Sequence, residues 1–348
     1  MKKYSDPPSG QQAENKAPKR VTILDVARAA RVSAGTVSNA LSGKRQVDPE
    51  TRARIDAAIA ALGYVPNRAA RALRHGRSNL IAVCSSMPWQ VAGGSSRLGF
   101  LMEVVAAVAP VALRHGIAVT LLPAEAEAEG FLDRIALDGA IVIEPLREDP
   151  FLRALRAQAL PVVVIGQPPV PDWVHVDLDY PAVTRLLCDH LYGAGARRFP
   201  LLTGQEDRVV HEETIRAYRA FAAERGMVPE VLRLPEAAGE AGSAALMTER
   251  LARRDIDAVL VPVDTFASGV MAAARGLGLV VPHDLRIATR YDGLRARQEV
   301  PGLTAVDLNL PEAAAHCIRL LLALIAGEGV PPATPVAPPR LIPRGSTR

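Results

Sequence analysis

The chain is poor in cysteine and has no long apolar run. Its three cysteines, Cys84, Cys188 and Cys317, are odd in number, widely spaced and set in apolar patterns. That argues against a disulfide framework and for buried reduced thiols. Neither they nor the seven scattered histidines show metal-ligand spacing, so no metal is expected. No segment reaches the roughly 18 unbroken apolar residues that a membrane-spanning helix needs. The amino terminus also lacks the hydrophobic stretch of a secretory signal. A soluble, cytoplasmic protein with no membrane partner is expected. There is no GxGxxG after a strand, no Walker loop, no GxSxG elbow and no HExxH, so neither an enzyme nor a cofactor is expected.

Lysine disappears after residue 44. All five (Lys2, Lys3, Lys16, Lys19 and Lys44) precede it, and later basic residues are arginines. Up to Ser78 there are fifteen Lys and Arg against six Asp and Glu, a net +9, whereas the whole chain is +4 and the remainder therefore −5. The basic surplus belongs to the head of the chain. Residues 1–19, polar and without an apolar run, read as a disordered arm.

Residues 22–41, TILDVARAARVSAGTVSNAL, fit two short helices joined by a tight turn, the helix-turn-helix that reads DNA. Thr22 is positioned to cap the first helix, with Asp25 completing a capping-box-like pattern, and Ile23, Val26, Ala27 and Ala30 share a face. Ser33 is positioned to cap the second at the amide of Gly35 or Thr36, while Val37 and Leu41 point back at the first. Asp48, Pro49, a stripe of Ile55, Ile59 and Leu62, and Gly63 outline a third helix. After Pro66 comes an arginine-rich helix candidate with Arg68, Arg71, Arg74 and Arg77. It has too small an apolar face to fold alone, and phosphate is the obvious partner.

With T-I-x-D-V-A at 22–27, V-S-x-G-T-V-S at 32–38, G-Y-x-P-N at 63–67 and A-R-x-L at 70–73, the chain resembles the lactose-repressor family of bacterial transcription regulators. The resemblance implies that the second helix lies in the major groove. It also implies that the segment after G-Y-x-P-N is a hinge helix whose leucine, here Leu73, wedges into the minor groove. The family's base-reading positions fall on Ala34, Gly35 and Asn39. Asn39 suits adenine, whereas Ala34 reaches only a thymine methyl. Thr22, Ser33, Thr36, Ser38, Asn67, Arg68, Ala70 and Arg71 complete the expected DNA-contacting set, mostly through the backbone, where contacts position without reading sequence.

From residue 79 short apolar runs alternate with amphipathic stretches. Strands are predicted at 80–84, 117–122, 139–143, 161–165, 199–202, 257–261 and 284–288, a strand-then-helix order that implies parallel sheets covered on both faces. About 270 residues exceed one comfortable core, so two subdomains with a ligand cleft at the carboxyl ends of the strands are expected. The fold class is a small all-α helix-turn-helix DNA-binding domain followed by an α/β two-subdomain periplasmic-binding-protein-like core. The expected division is an arm at 1–19, head at 20–65, hinge helix and linker at 66–78, and core at 79–348. Within the core, one subdomain takes about 79–176 and 302–325, the other about 177–301 and 326–348.

Further motifs resemble the family's at lower fidelity. They are V-x-x-D at 176–179 with His190, PVDTFASGV at 262–270, Pro301 with Leu303-Thr304 at a crossover, and a last strand within 339–348. Asp264 matches the family's effector-binding aspartate. The family's clamping arginine aligns with Thr214, its third-strand position is Ile143, and its G-F-D-D reads Arg290-Tyr291-Asp292-Gly293. Trp89, in the Gly- and Ser-rich loop SSMPWQVAGGSS, with Arg97, Gln167 and Arg290, completes the expected effector-binding set.

The expected protein is a homodimeric, nucleoid-associated repressor of a pseudo-palindromic double-stranded operator, controlled by a small-molecule effector, a sugar or related polar metabolite. The alternative is an effector-independent DNA-binding protein whose core serves dimerisation or protein binding.

Overall fold

The computed structural model describes residues 21–42, 45–64, 77–88, 99–122, 130, 132–329 and 336–348. The chain divides into two compact units, residues 1–76 and 77–348.

The first unit holds α1 (Ile23–Ala30), α2 (Ala34–Ser42) and α3 (Pro49–Leu62). Each start is fixed by a short polar side chain. The Asp25 carboxylate accepts from both the amide and the hydroxyl of Thr22 at 2.9 and 2.7 Å. Ser33 Oγ accepts the Thr36 amide at 3.0 Å, and Asp48 the Thr51 amide at 2.9 Å. Those bonds satisfy amides that have no partner within the helix. Val26, Ala27, Ala30, Val37, Ala40, Ile55 and Ala58 form the core with Tyr64. Small residues on α1 let the helices cross closely. The expected stripe on α3 ends one turn early, because Leu62 is 37% exposed. Gly63 turns left-handed at φ +60° and Tyr64 donates back to the Ile59 carbonyl at 3.1 Å, so the tyrosine takes the core position instead.

The second unit contains two parallel sheets. In the first, β1 (Leu80–Cys84), β2 (Ala118–Leu122), β3 (Gly139–Ile143), β4 (Val162–Ile165) and β5 (His175–Val176) run in the order β2-β1-β3-β4-β5, with α4 (Phe100–Arg114) and α5 (Pro150–Ala157) between strands. The second follows α6 (Tyr180–Gly193). It takes β6 (Leu201–Gly204), β7 (Val231–Leu234), β8 (Ala258–Leu260) and β9 (Arg286–Ala288) in the order β7-β6-β8-β9. Between them lie α7 (Val209–Glu224), α8 (Gly239–Leu251) and α9 (Asp264–Gly276), with α10 (Leu294–Gln298) after β9. β10 (Ala305–Asp307) pairs antiparallel with β11 (Arg340–Ile342) on either side of α11 (Leu310–Ala326).

The central strands β1, β3 and β4 are apolar on both faces because both faces are covered. Ala82, Cys84, Ala140, Val142, Val162 and Val164 pack with Phe151, Leu152 and Leu155 of α5. Ile81, Val83, Ile141, Ile143, Val163 and Ile165 share the other cluster with Val104 and Val108 of α4 and Leu321 of α11. Every one of the seven predicted strands is present, within two residues or so at its ends. Unpredicted are β5, only two residues long, β7, an edge strand whose half-exposed V-L-R-L gives no continuous apolar run, and the three-residue β10, where only a crossover was expected.

α8 and α9 approach unusually closely at Gly269, where an added Cβ would lie 1.8 Å from Ser243 Oγ and 2.4 Å from the Glu240 carbonyl oxygen. Gly269→Ala is expected to destabilise the core by about 3 kcal/mol, since backbone must move to admit the methyl. Unchanged urea unfolding would contradict this.

Candidate functional site

On the first unit the surface of α2 is built from short side chains. Val37 and Ala40 face inward, while Ser33 and Gly35 are exposed and Ala34, Thr36, Ser38 and Asn39 half-buried. A Cβ on Gly35 would meet nothing nearer than Ser33 Oγ at 3.6 Å. Packing therefore does not force smallness there, and the helix is left free to approach a partner closely. Arg52 of α3 donates to the Ala40 carbonyl at 2.7 Å, fixing the far end of α2. Thr22 is exposed beside the start of α1. Asn67, Arg68, Ala70, Arg71 and Leu73, and likewise Trp89 and Arg97, lie outside the described residues.

The second unit gathers charge where the strands of both sheets end. Glu144 directly follows β3, almost fully buried, with a left-handed φ of +42° that a non-glycine residue holds only when its surroundings impose it. Its carboxylate accepts a bond from the Tyr180 hydroxyl and lies 3.0 and 3.1 Å from an Nη of Arg290, just beyond β9. Arg290 also stacks over Tyr180 and Phe100 at 4.7 and 5.5 Å. Burial and the Glu144 carboxylate together push the Tyr180 phenol well above its ordinary range.

Arg208, fully buried at the start of α7, makes a second crossing between the sheets. Nη1 donates to Ser86 Oγ at 2.9 Å and to the Glu144 carbonyl at 2.7 Å, while Nε and Nη2 grip both Glu236 oxygens at 2.7 and 2.9 Å. His211 Nε2 adds a contact to Glu236 at 2.9 Å. Gly204 makes room for that ring, since a Cβ there would lie 2.4 Å from His211 Nε2. Glu206, His211 and Glu236 converge closely enough to hold a cation, but the Arg208 guanidinium already sits on both Glu236 oxygens.

Burial raises the Glu236 pKa, yet the bonds from His211 and Arg208 overcome it and hold the group down at about 2. A carboxyl with a depressed folded-state pKa stabilises above its ordinary value near 4.5, and that contribution is lost as pH falls towards 2. The native chain is expected to lose stability as pH falls through this window, and Glu236→Gln to lose less, measured as urea midpoints from about pH 5 to 2. Identical profiles would contradict it.

Asp264 begins α9 and is buried. One oxygen accepts the Thr265 amide at 2.7 Å, while the other has no hydrogen-bond partner and lies 3.8 Å from Arg295 Nε. Burial raises its pKa, against the pull of Arg295. One carboxylate thus holds an amide of the first helical turn with one oxygen and keeps the other buried and unbonded. Asp264 and Arg290 are brought into one charged neighbourhood. Gln167, at the end of β4, is turned to Asp177, and Thr214 is buried within α7. Ile143 is wholly buried, and the chemistry sits one residue on, at Glu144. Sequence reasoning missed Glu144, Tyr180, Arg208, His211 and Glu236. The signal available was a fully apolar strand ending abruptly in an acid.

Residues 22–67 match the family described as bacterial regulatory proteins, lacI family, and residues 188–347 a periplasmic binding protein-like domain. The chain is 30% identical over 339 residues to the HTH-type transcriptional regulator CelR of Thermobifida fusca, covering 94% of this chain and 98% of that one. It is 26% identical to the transcriptional regulator MalR of Staphylococcus xylosus, over 83% and 86%. Among solved structures, a CelR–cellobiose complex superposes with a TM-score of 0.68 at 27% identity, covering 94% and 100%. The lac repressor dimer bound to operator and the anti-inducer ONPF gives 0.78 at 24% identity, over 94% and 99%, a likeness of fold. The chain belongs to the LacI family of DNA-binding transcriptional regulators, with a helix-turn-helix head and a two-sheet effector-type core.

Proposed function

We propose that this regulator is a homodimeric, cytoplasmic, nucleoid-associated repressor of a pseudo-palindromic operator, without catalytic activity, and that a polar metabolite in the core cleft sets its DNA affinity. The observation that carries the reading is the meeting of Glu144, Arg208, Asp264 and Arg290 at the strand ends of two sheets, in a chain that also carries a capped helix-turn-helix. Ser33, Ala34, Gly35, Thr36, Ser38 and Asn39 are assigned to the groove. Thr22 and the 66–78 segment, with Asn67, Arg68, Ala70, Arg71 and Leu73, are assigned to backbone and minor groove. Two-fold symmetry of the protein implies two-fold symmetry of the operator. DNA and effector favour different arrangements of the two sheets, and the coupling is reciprocal.

The cellobiose complex of the relative supports a sugar as first probe. A panel including cellobiose, maltose and glucose should contain a compound that raises the melting temperature and shifts operator affinity about 5-fold or more. If none does either, the effector-independent alternative stands. That second reading has its own support, because Arg208 already pairs with Glu236 and Arg290 with Glu144 within the chain.

A further inference from the structure

The end of β3 poses a chemical question. Glu144 is an acid buried to 2% exposure where two sheets meet, and each sheet treats it as a bound group. Its carboxylate is held by a cation from beyond β9 and by the Tyr180 hydroxyl, and its carbonyl by Arg208. Arg290 keeps a buried Nε with no hydrogen-bond partner while its Cζ lies over two aromatic rings, so the guanidinium is held by packing as well as by Glu144. A guanidinium fixed against aromatic faces with a phenol beside it is a receptor for a planar or tetrahedral anion. Further contacts stitch the same rims together. Arg147, after β3, reaches Asp207 at 3.3 Å and also Glu212, and Glu103 of α4 accepts the Leu294 amide at 2.7 Å.

We propose that Glu144 is an internal ligand of the cleft: its carboxylate fills an anion site built by Arg290 and Tyr180, and effectors of this chain are molecules whose own carboxylate or phosphate takes its place. The proposal rests on the cleft being the effector site. A neutral sugar leaves the Glu144–Arg290 pair intact. A sugar acid or sugar phosphate supplies Arg290 with a substitute anion and frees Glu144, which removes one of the ties between the sheets.

Chemical rescue of the full-length protein tests this. Glu144→Ala keeps the carbonyl that Arg208 grips and empties the carboxylate position. Its melting temperature should fall below that of the native chain, and formate, acetate or inorganic phosphate should restore about 3 °C or more, by binding the folded state. The same anions should not move the native chain comparably. The rescue should vanish in Glu144→Ala/Arg290→Met. An equal response in all three proteins, or none in Glu144→Ala, overturns the anion site. Should Glu144→Ala fail to fold, the native chain decides. Stabilisation by glucuronate or glucose 6-phosphate but not by glucose supports the proposal and separates carboxylate from phosphate, and stabilisation by glucose alone overturns it. Rescue without any effect of these compounds on operator affinity upholds the anion site and contradicts the effector reading instead.

Discussion

Replacing Arg208 by alanine is expected to cost the core about 3–5 kcal/mol, the range for a buried charge whose partner is removed. Glu236 would be left 1% exposed with His211 as the remaining partner of its carboxylate and the acid of Glu206 close by, and Ser86 and the Glu144 carbonyl would lose their donor. The expected result is a melting temperature lower by several degrees and a core far more easily proteolysed. Arg208→Met/Glu236→Leu should recover much of the stability, because isosteric apolar residues remove the buried charges together. It should not recover the tie between the sheets, so any effector response should stay altered. Stability of Arg208→Ala indistinguishable from the native chain would show that the pair contributes nothing.

The second large effect concerns DNA. With the basic surplus confined to the first 78 residues and a dimer on the operator, on the order of 6–10 phosphates should be neutralised, so affinity should drop about 10³- to 10⁵-fold between 50 and 200 mM salt. Asn39→Ala should instead weaken binding about 5- to 100-fold at fixed salt, leave the salt slope unchanged and relax preference at a single base pair of each half-site. Fluorescence anisotropy on an operator duplex across a salt series reads both. A flat salt response, or an Asn39→Ala variant that loses affinity equally for operator and random duplex, would contradict the assignment of α2 to the groove.

Much of the head was legible because its determinants are local. Thr22, Asp25, Ser33, Asp48 and Gly63 act within a few residues of themselves, and capping bonds are set by such short spacings. The buried strands were legible for a related reason. A sheet covered on both faces turns Gly139–Ile143 into an unbroken apolar run. β7 was not, since an edge strand with an arginine in it carries no such pattern.

The cleft was legible only in part. Asp264 and Arg290 were found, one through a motif and the other as a departure from one. Their partners come from far along the chain. Glu144 and Arg290 are 146 residues apart, and Arg208 and Ser86 are 122 apart. No periodicity announces pairs that only the folding of two sheets brings together. Ile143 drew attention for its position, yet a strand's last inward apolar residue is packing and the next one faces the cleft. The resemblance also drew the eye to Thr214 in place of an arginine, while the arginine that grips both sheets sits six residues earlier at Arg208, at the start of the same helix.

The central claim is that this chain recognises defined operators. The most direct test is footprinting of purified full-length protein on sheared DNA of its own host. Sharp, pseudo-palindromic sites beside a small set of operons are predicted, with half-sites of matching sequence and occupancy that changes with a metabolite of the adjacent operon. Diffuse binding without a shared sequence would contradict it.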